Sequence, residues 1–367
     1  MTMRERMLAY IQGRDHDRVP FVVYEGLGCV GFRDREEGRR ILGADNIGFL
    51  RWTAAHRLES PNCRWEHQPF TRPESGLNGY RLTLHTPAGS LWEERLLDPV
   101  LGSAAAETHF IKEPEDYRPL MAYLRDTRAL PAPETFMTAY DELLDDGLPH
   151  TAVLRSPFQQ LWVQWVSIED LCLHMVDCPE LLDEVFAELE RLQDEVFRAA
   201  VTVCRQCPVP YLNVPDNITA PMLGPALFTR YCAPAYNRLA ELLDDAGIDI
   251  PVQVHMDGDL RPLWPHIAAT RVRALDSMSP PPDNDTSVAD ALREWPGMRI
   301  GINFPSSVHL QPGDRVYAAA MEILTQNRGS GRLQIQISEN VPPGRWQESF
   351  PAIIRAIRDY HTASQPG

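Results

Sequence analysis

Lysine and arginine are outnumbered: 35 basic side chains face 51 acidic ones, a net charge of −16 over 367 residues. With no basic cluster, a nucleic-acid surface is excluded, and the acidic excess reads as a solubility feature. No apolar run approaches the ~18 residues needed to cross a bilayer. The opening MTMRERMLAYIQG has no basic-then-apolar leader and reads as an amphipathic helix, so a cytoplasmic protein is expected. Cysteines number seven, odd and irregularly spaced, which fits reduced thiols. The one close pair, Cys204 and Cys207, lacks a second ligand pair for structural zinc and precedes a strand, so packing is its expected role. Also missing are a Ser/Gly-rich linker, a low-complexity tract and an internal repeat. One domain over 1–367 is therefore expected.

What is present is alternation. Residues 18–24 (RVPFVVY) and 46–52 (NIGFLRW) read as strands, with a helix over 34–42 between them. Residues 65–97 differ: RLTLHTP and SLWEERLL flank Ala88 and Gly89 and predict a β-hairpin excursion. Helices are expected over 116–130 and 132–148. Strands are then expected at 151–157, 209–217, 250–259, 271–280, 298–305 and 332–340. Helices over 168–204 (restarted at Pro179), 225–246, 260–269, 287–294, 314–327 and 345–361 separate or follow them. Strand–helix alternation implies parallel βαβ units. About eight strands match the number that closes a (β/α)8 barrel. The expected fold is thus α/β, a TIM-type barrel with an N-terminal hairpin excursion. An open doubly wound sheet would want G-x-G-x-x-G after an early strand, and EGLGCVGF does not fit.

In such a barrel, chemistry gathers where the strands end. The segment IPVQVHMDGD (250–259) stands out, because His255 and Asp257 share one face of an extended strand. An imidazole with nearby carboxylates suits a borderline or hard divalent ion, with Glu339 as the third ligand. The alternatives are a hydrogen-bonded pair that orients the loop, or a structural histidine under the rim. Asp216 can orient a substrate or act as a general base, with Asn217 beside it, or the two can form a cap or Asx turn. Tyr24, Glu25, Asp276 and Asn303, at other strand ends, are candidate substrate contacts. Trp162, Trp165 and Met175 have helical spacing and are expected in the core. His109, His150, His174, His266 and His309 have no polar partner at a useful spacing and receive no role.

Several stretches taken in order resemble the uroporphyrinogen decarboxylase superfamily. They are RERMLAYIQGRDHDRVPFVVYEG, HTPAGSLWEE, IKEPEDY, VHMDGDLRPLWPHIAATRVRALDSMSPPP and the final helix after VPPGR. The resemblance runs from about Arg4 to Tyr360 and implies a (β/α)8 barrel. Authentic uroporphyrinogen decarboxylases carry an early signature resembling R-Q-A-G-R-Y, whose arginines meet substrate carboxylates. Here that stretch reads VVYEGLGCVGF, with acidic Glu25 and no arginine, which argues against porphyrinogen decarboxylation.

The resemblance is closer to the corrinoid-dependent methyltransferase branch. Those enzymes hold zinc with an H-x-C segment and a later cysteine. The matching positions are His255-Met256-Asp257 and the region of Ser338 and Glu339, so carboxylates stand where thiolates are expected. Oxygen ligands leave a metal more Lewis-acidic. The resemblance therefore implies methyl transfer between a small O- or N-methyl compound and a corrinoid cofactor or corrinoid protein. The implied cofactors are a divalent metal, zinc among the candidates, and a corrinoid supplied by a partner, with Asp216 orienting or protonating the leaving group. A decarboxylase or lyase acting on a small acid and a non-catalytic small-molecule-binding barrel are the alternatives. A homodimer is the default assembly.

Overall fold

Eight short runs that read as buried strands pair side by side and in parallel. In the computed structural model, which describes residues 1–26, 35–100, 102–339 and 341–364, they are β1 (Phe21–Tyr24), β2 (Gly48–Ala54), β3 (Gly147–Ala152), β4 (Leu212–Val214), β5 (Val252–His255), β6 (Ala274–Met278), β7 (Arg299–Asn303) and β8 (Leu333–Ile337). They form one closed barrel in chain order, with β8 returning to β1. The fold is therefore α/β, a (β/α)8 TIM barrel. Closure leaves no open edge, and helices cover the outside, so both strand faces are buried. Register places Trp52 beside His150 and His255 beside Asp276, near the C-terminal strand ends.

The two faces of these strands differ in chemistry. Val252 and Val254 join the main apolar cluster, whereas Gln253 and His255 belong to a set of buried polar side chains. Asn213, Gln334, Gln336, His150 and Asp276 are buried as well. A barrel interior is ordinarily filled by branched apolar residues. Here part of it is a hydrogen-bonded polar network.

Between β2 and β3 the chain leaves the barrel. The turn at Pro87 and Ala88 pairs Thr86 with Gly89, as the hairpin expectation requires. The excursion is larger than a hairpin: strands Arg64–Thr71, Asn78–Thr86, Gly89–Leu97 and Ala104–Thr108 form a four-stranded antiparallel sheet. Trp65 packs against Phe110, Tyr123 and Trp165, tying that sheet to the helices beneath it. Trp165 is buried, with Trp162 and Met175 packed against the core, as their spacing predicted.

Two expected helices are shorter than their patterns suggest. The helix expected over 116–130 covers Tyr117–Asp126, and Arg128–Pro131 instead forms a strand antiparallel to His56–Glu59. That pairing is non-local and overrides helical propensity. The helix expected over 132–148 covers Pro133–Leu143, and β3 begins at Gly147 rather than at 151. A Cβ on Gly147 would lie 2.1 Å from the Phe49 carbonyl oxygen, so the close β2–β3 contact depends on glycine. Among the described residues, no helix is long and apolar enough to cross a membrane. The sequence points at 27–34 and Asn340 lie outside the described residues.

Candidate active site

Asp276, at 0% exposure on β6, is the centre of the polar interior. Its Oδ2 accepts from Tyr24 Oη at 2.5 Å, pairs with His255 Nδ1 at 2.9 Å, and lies 3.3 Å from His150 Nε2. Gln336 Nε2 donates to Oδ1 at 2.8 Å, and Asn213 Nδ2 adds a longer contact to Oδ2 at 3.4 Å. Burial pushes this carboxyl toward its neutral form, but the imidazoles of His150 and His255 outweigh burial and hold it well below the usual carboxylate range. His150 in turn meets Tyr211 Oη through Nδ1 at 2.9 Å.

His255 stands at the end of β5. With Nδ1 on Asp276, its Nε2 turns to Asp257, 3.8 Å from Oδ2. Burial opposes a charged imidazole, yet hydrogen bonds and charge from Asp257 and Asp276 prevail and raise its pKa to about 10. Glu339, just past β8, completes the group: one ligand atom from each of His255, Asp257 and Glu339 lies within 4.8 Å of the others. Burial raises the Glu339 pKa; His255 pulls it down, while Asp257 and Asp276 push it up.

The loop that carries Asp257 is held on both sides. Gly258 N donates to Ile218 O at 3.0 Å, Ala220 N donates to Asp259 O at 2.7 Å, and Asn284 Nδ2 donates to Asp257 O at 2.6 Å. A Cβ on Gly258 would lie 2.2 Å from Thr219 Cβ, so this approach again requires glycine. Asp259 Oδ1 accepts from Asp285 N at 3.0 Å and braces the next loop.

The other expected residues divide. Tyr24 and Asp276 join the His255 network, and burial followed by the Asp276 charge raises the Tyr24 pKa far above its usual value. Asp216 does not join it. It is fully buried and accepts from Ser156 N at 2.8 Å, Ser156 Oγ at 2.7 Å and Tyr236 Oη at 2.6 Å. Burial raises its pKa while those donors lower it. Asn217 accepts from Arg155 Nη1 at 3.2 Å. Asn303 Oδ1 accepts from Ser338 N at 3.1 Å and ties the β7 loop to the β8 loop. Glu25 pairs with Arg51 on the rim, and Arg51 also reaches Glu142. Ser277, with φ of 62°, holds a left-handed backbone beside these groups and shares a hydrogen bond with Ser338.

The residue patterns missed His150, because β3 was expected to start one residue after it. Its partners lie on other strands, at Tyr24, Tyr211 and Asp276. His174 and His309 likewise find partners across the fold, in Tyr117 and Ser349. A signal for the polar interior did exist. Gln253 and His255 on β5, and Gln334 and Gln336 on β8, are polar at every second position of strands that are otherwise apolar.

The sequence profile of the uroporphyrinogen decarboxylase (URO-D) family matches residues 104–360. Among solved structures, a methyltransferase from Methanosarcina mazei superposes with a TM-score of 0.59 at 12% identity, over 98% of this chain and 99% of that one. At that identity the likeness establishes the fold alone. A glycoside hydrolase family 5 enzyme from Prevotella bryantii, covering 98% and 99% of the two chains, reaches a TM-score of only 0.44 at 8% identity and adds nothing further. No curated protein matches the chain.

Proposed function

The chain belongs to the uroporphyrinogen decarboxylase (URO-D) family, and on that premise we propose that it is an enzyme that moves a methyl group from a small O- or N-methyl compound to a corrinoid cofactor or corrinoid protein. The observation that carries the reading is the convergence of His255, Asp257 and Glu339 at the barrel mouth. Membership in the family supports an enzyme, and a methyltransferase shares this fold.

The donor set fits a divalent ion: one imidazole nitrogen and two carboxylates, with a buried carboxylate behind the imidazole. When bound, the ion would polarise the heteroatom that bears the methyl group, and the corrinoid would accept that group. The protein's own part is positioning. Asp276 fixes the ring of His255 so that Nε2 faces Asp257. Tyr24 and Gln336 hold Asp276 in turn, so the ligand nitrogen is set by a network with few alternative arrangements. The proton on His255 must leave before Nε2 can bind a cation. Asp216, expected to handle the leaving group, has both oxygens engaged by Ser156 and Tyr236 and supports two loops instead.

The test is incubation of the protein, loaded with zinc, with O- and N-methyl donors and cob(I)alamin while the corrinoid absorption bands are followed. Methylcobalamin is expected with at least one donor and is lost in His255→Ala. A folded protein that methylates cob(I)alamin with none of them, or that releases CO2 from a small acid, overturns the proposal.

A further inference from the structure

Arg155 lies three residues past β3 and is not one of the three residues of the candidate metal group. We propose that Arg155 binds the carboxylate of the substrate, so that the compound taken by this site is a small acid. This rests on the methyl-transfer reading for what happens to the substrate, but not for how its acid group is held.

A guanidinium has five N–H donors in a rigid fork. Arg155 uses only Nη1, which donates to Pro215 O and, at 3.2 Å, to Asn217 Oδ1. Its Nε and Nη2 have no partner among the described residues, and neither is a sealed, unsatisfied atom. These two nitrogens form the side edge of the fork, the edge that grips a carboxylate with two parallel bonds. Arg6 uses the same edge on Asp17 in this protein, at 2.6 and 2.8 Å. In Arg155 that edge is open.

Charge and position agree with valence. Arg155 makes no ion pair with any described carboxylate, although the charges of Asp216 and Asp257 both act on it. Asp257 belongs to the candidate metal group, so the guanidinium lies within electrostatic reach of that group. The competing cation Arg51 is already paired with Glu25 and Glu142. A partly buried guanidinium with no carboxylate in direct contact is costly, and an incoming carboxylate relieves that cost. The group is also held in place: buried Gln193 donates to the Arg155 carbonyl at 2.7 Å, and Asn217 with Pro215 fixes Nη1. A fixed fork loses little freedom on binding.

The test uses methoxyacetate and its neutral amide, methoxyacetamide, titrated into the full chain by ligand-observed NMR, once after chelator treatment and once with zinc added. The acid is expected to bind about tenfold or more tighter than the amide in both states, as charge-assisted paired bonds imply. Arg155→Gln abolishes that preference, whereas Arg155→Lys, which keeps the charge without the fork, retains part of it. Thermal unfolding of each variant separates lost binding from a lost fold, and the lysine variant carries the test if the glutamine variant does not fold. Equal binding of acid and amide, an acid preference that survives Arg155→Gln, or no binding of the acid overturns the proposal. So does a preference that appears only with zinc and disappears in His255→Ala, since the carboxylate would then sit on the metal group. Acid binding that depends on Arg155, without methylation of cob(I)alamin by any donor, upholds Arg155 and counts against methyl transfer alone.

Discussion

Asp276 is the residue on which the site depends, because five side chains from five other strands converge on one buried carboxylate: Tyr24, His150, Asn213, His255 and Gln336. Replacing it with asparagine keeps the shape but removes the charge that holds His255, and it turns an acceptor into a donor toward neighbours that donate. Asp276→Asn is expected to weaken binding of zinc or cobalt(II) about 10- to 100-fold, the usual effect of losing the group behind a metal-bound imidazole. Competition with a chromophoric chelator measures it, and a wild-type protein that takes up neither ion at pH 8 sinks the reading of His255, Asp257 and Glu339 as ligands. These three residue types were legible in the sequence, since polar side chains at the ends of apolar strands stand out. Asp276 was legible only as one more polar strand end. Its dominance comes from the convergence of neighbours on other strands, which local pattern does not encode.

At the scale of elements, the turn Ser306–Leu310 and the closing helix Trp346–Ser364 are joined by a buried contact between His309 and Ser349. Burial depresses the His309 pKa from 6.5 to about 4. The unfolded chain therefore takes up a proton that the folded protein refuses. Stability from this source is intact above pH 6.5, erodes as pH falls and levels off near 4. Over that window the loss is about 3 kcal/mol at ~1.4 kcal/mol per pH unit. His309→Gln removes the proton acceptor, so the variant is expected to lose less stability than wild type between pH 7 and pH 4. Urea unfolding at the two pH values checks this, and equal losses refute it. Other acid-sensitive groups, Asp276 among them, contribute equally to both proteins and cancel in the comparison. The elements themselves were mostly readable, because period-two and period-3.6 patterns survive over long stretches. They failed at 128–131 and 147–150, where pairing with distant strands decides the outcome.

For the whole molecule, one apolar cluster includes residues from Val19 to Ile357 and draws on both the barrel and the excursion. We propose that 1–367 unfolds as a single unit. One calorimetric transition, with calorimetric and van't Hoff enthalpies equal, is the expected result. Two resolved transitions, one for the antiparallel sheet and one for the barrel, would count against it.

The sequence alone determined the barrel and its order, because eight apolar runs separated by amphipathic helices admit few other arrangements. It also determined which residue types stand at the strand ends, and so drew attention to His255, Asp257 and Glu339. Only the tertiary structure decided how those ends relate. Barrel closure places β8 next to β1, so Glu339 and Tyr24, far apart in the chain, enter the same mouth. The same closure buries Asp276 among donors from several strands and ties Asp216 to Ser156 and Tyr236 instead. It also leaves one edge of Arg155 open. The physical reason is common to all of these: a hydrogen bond depends on distances of a few tenths of an ångström between groups that only the closed fold brings together.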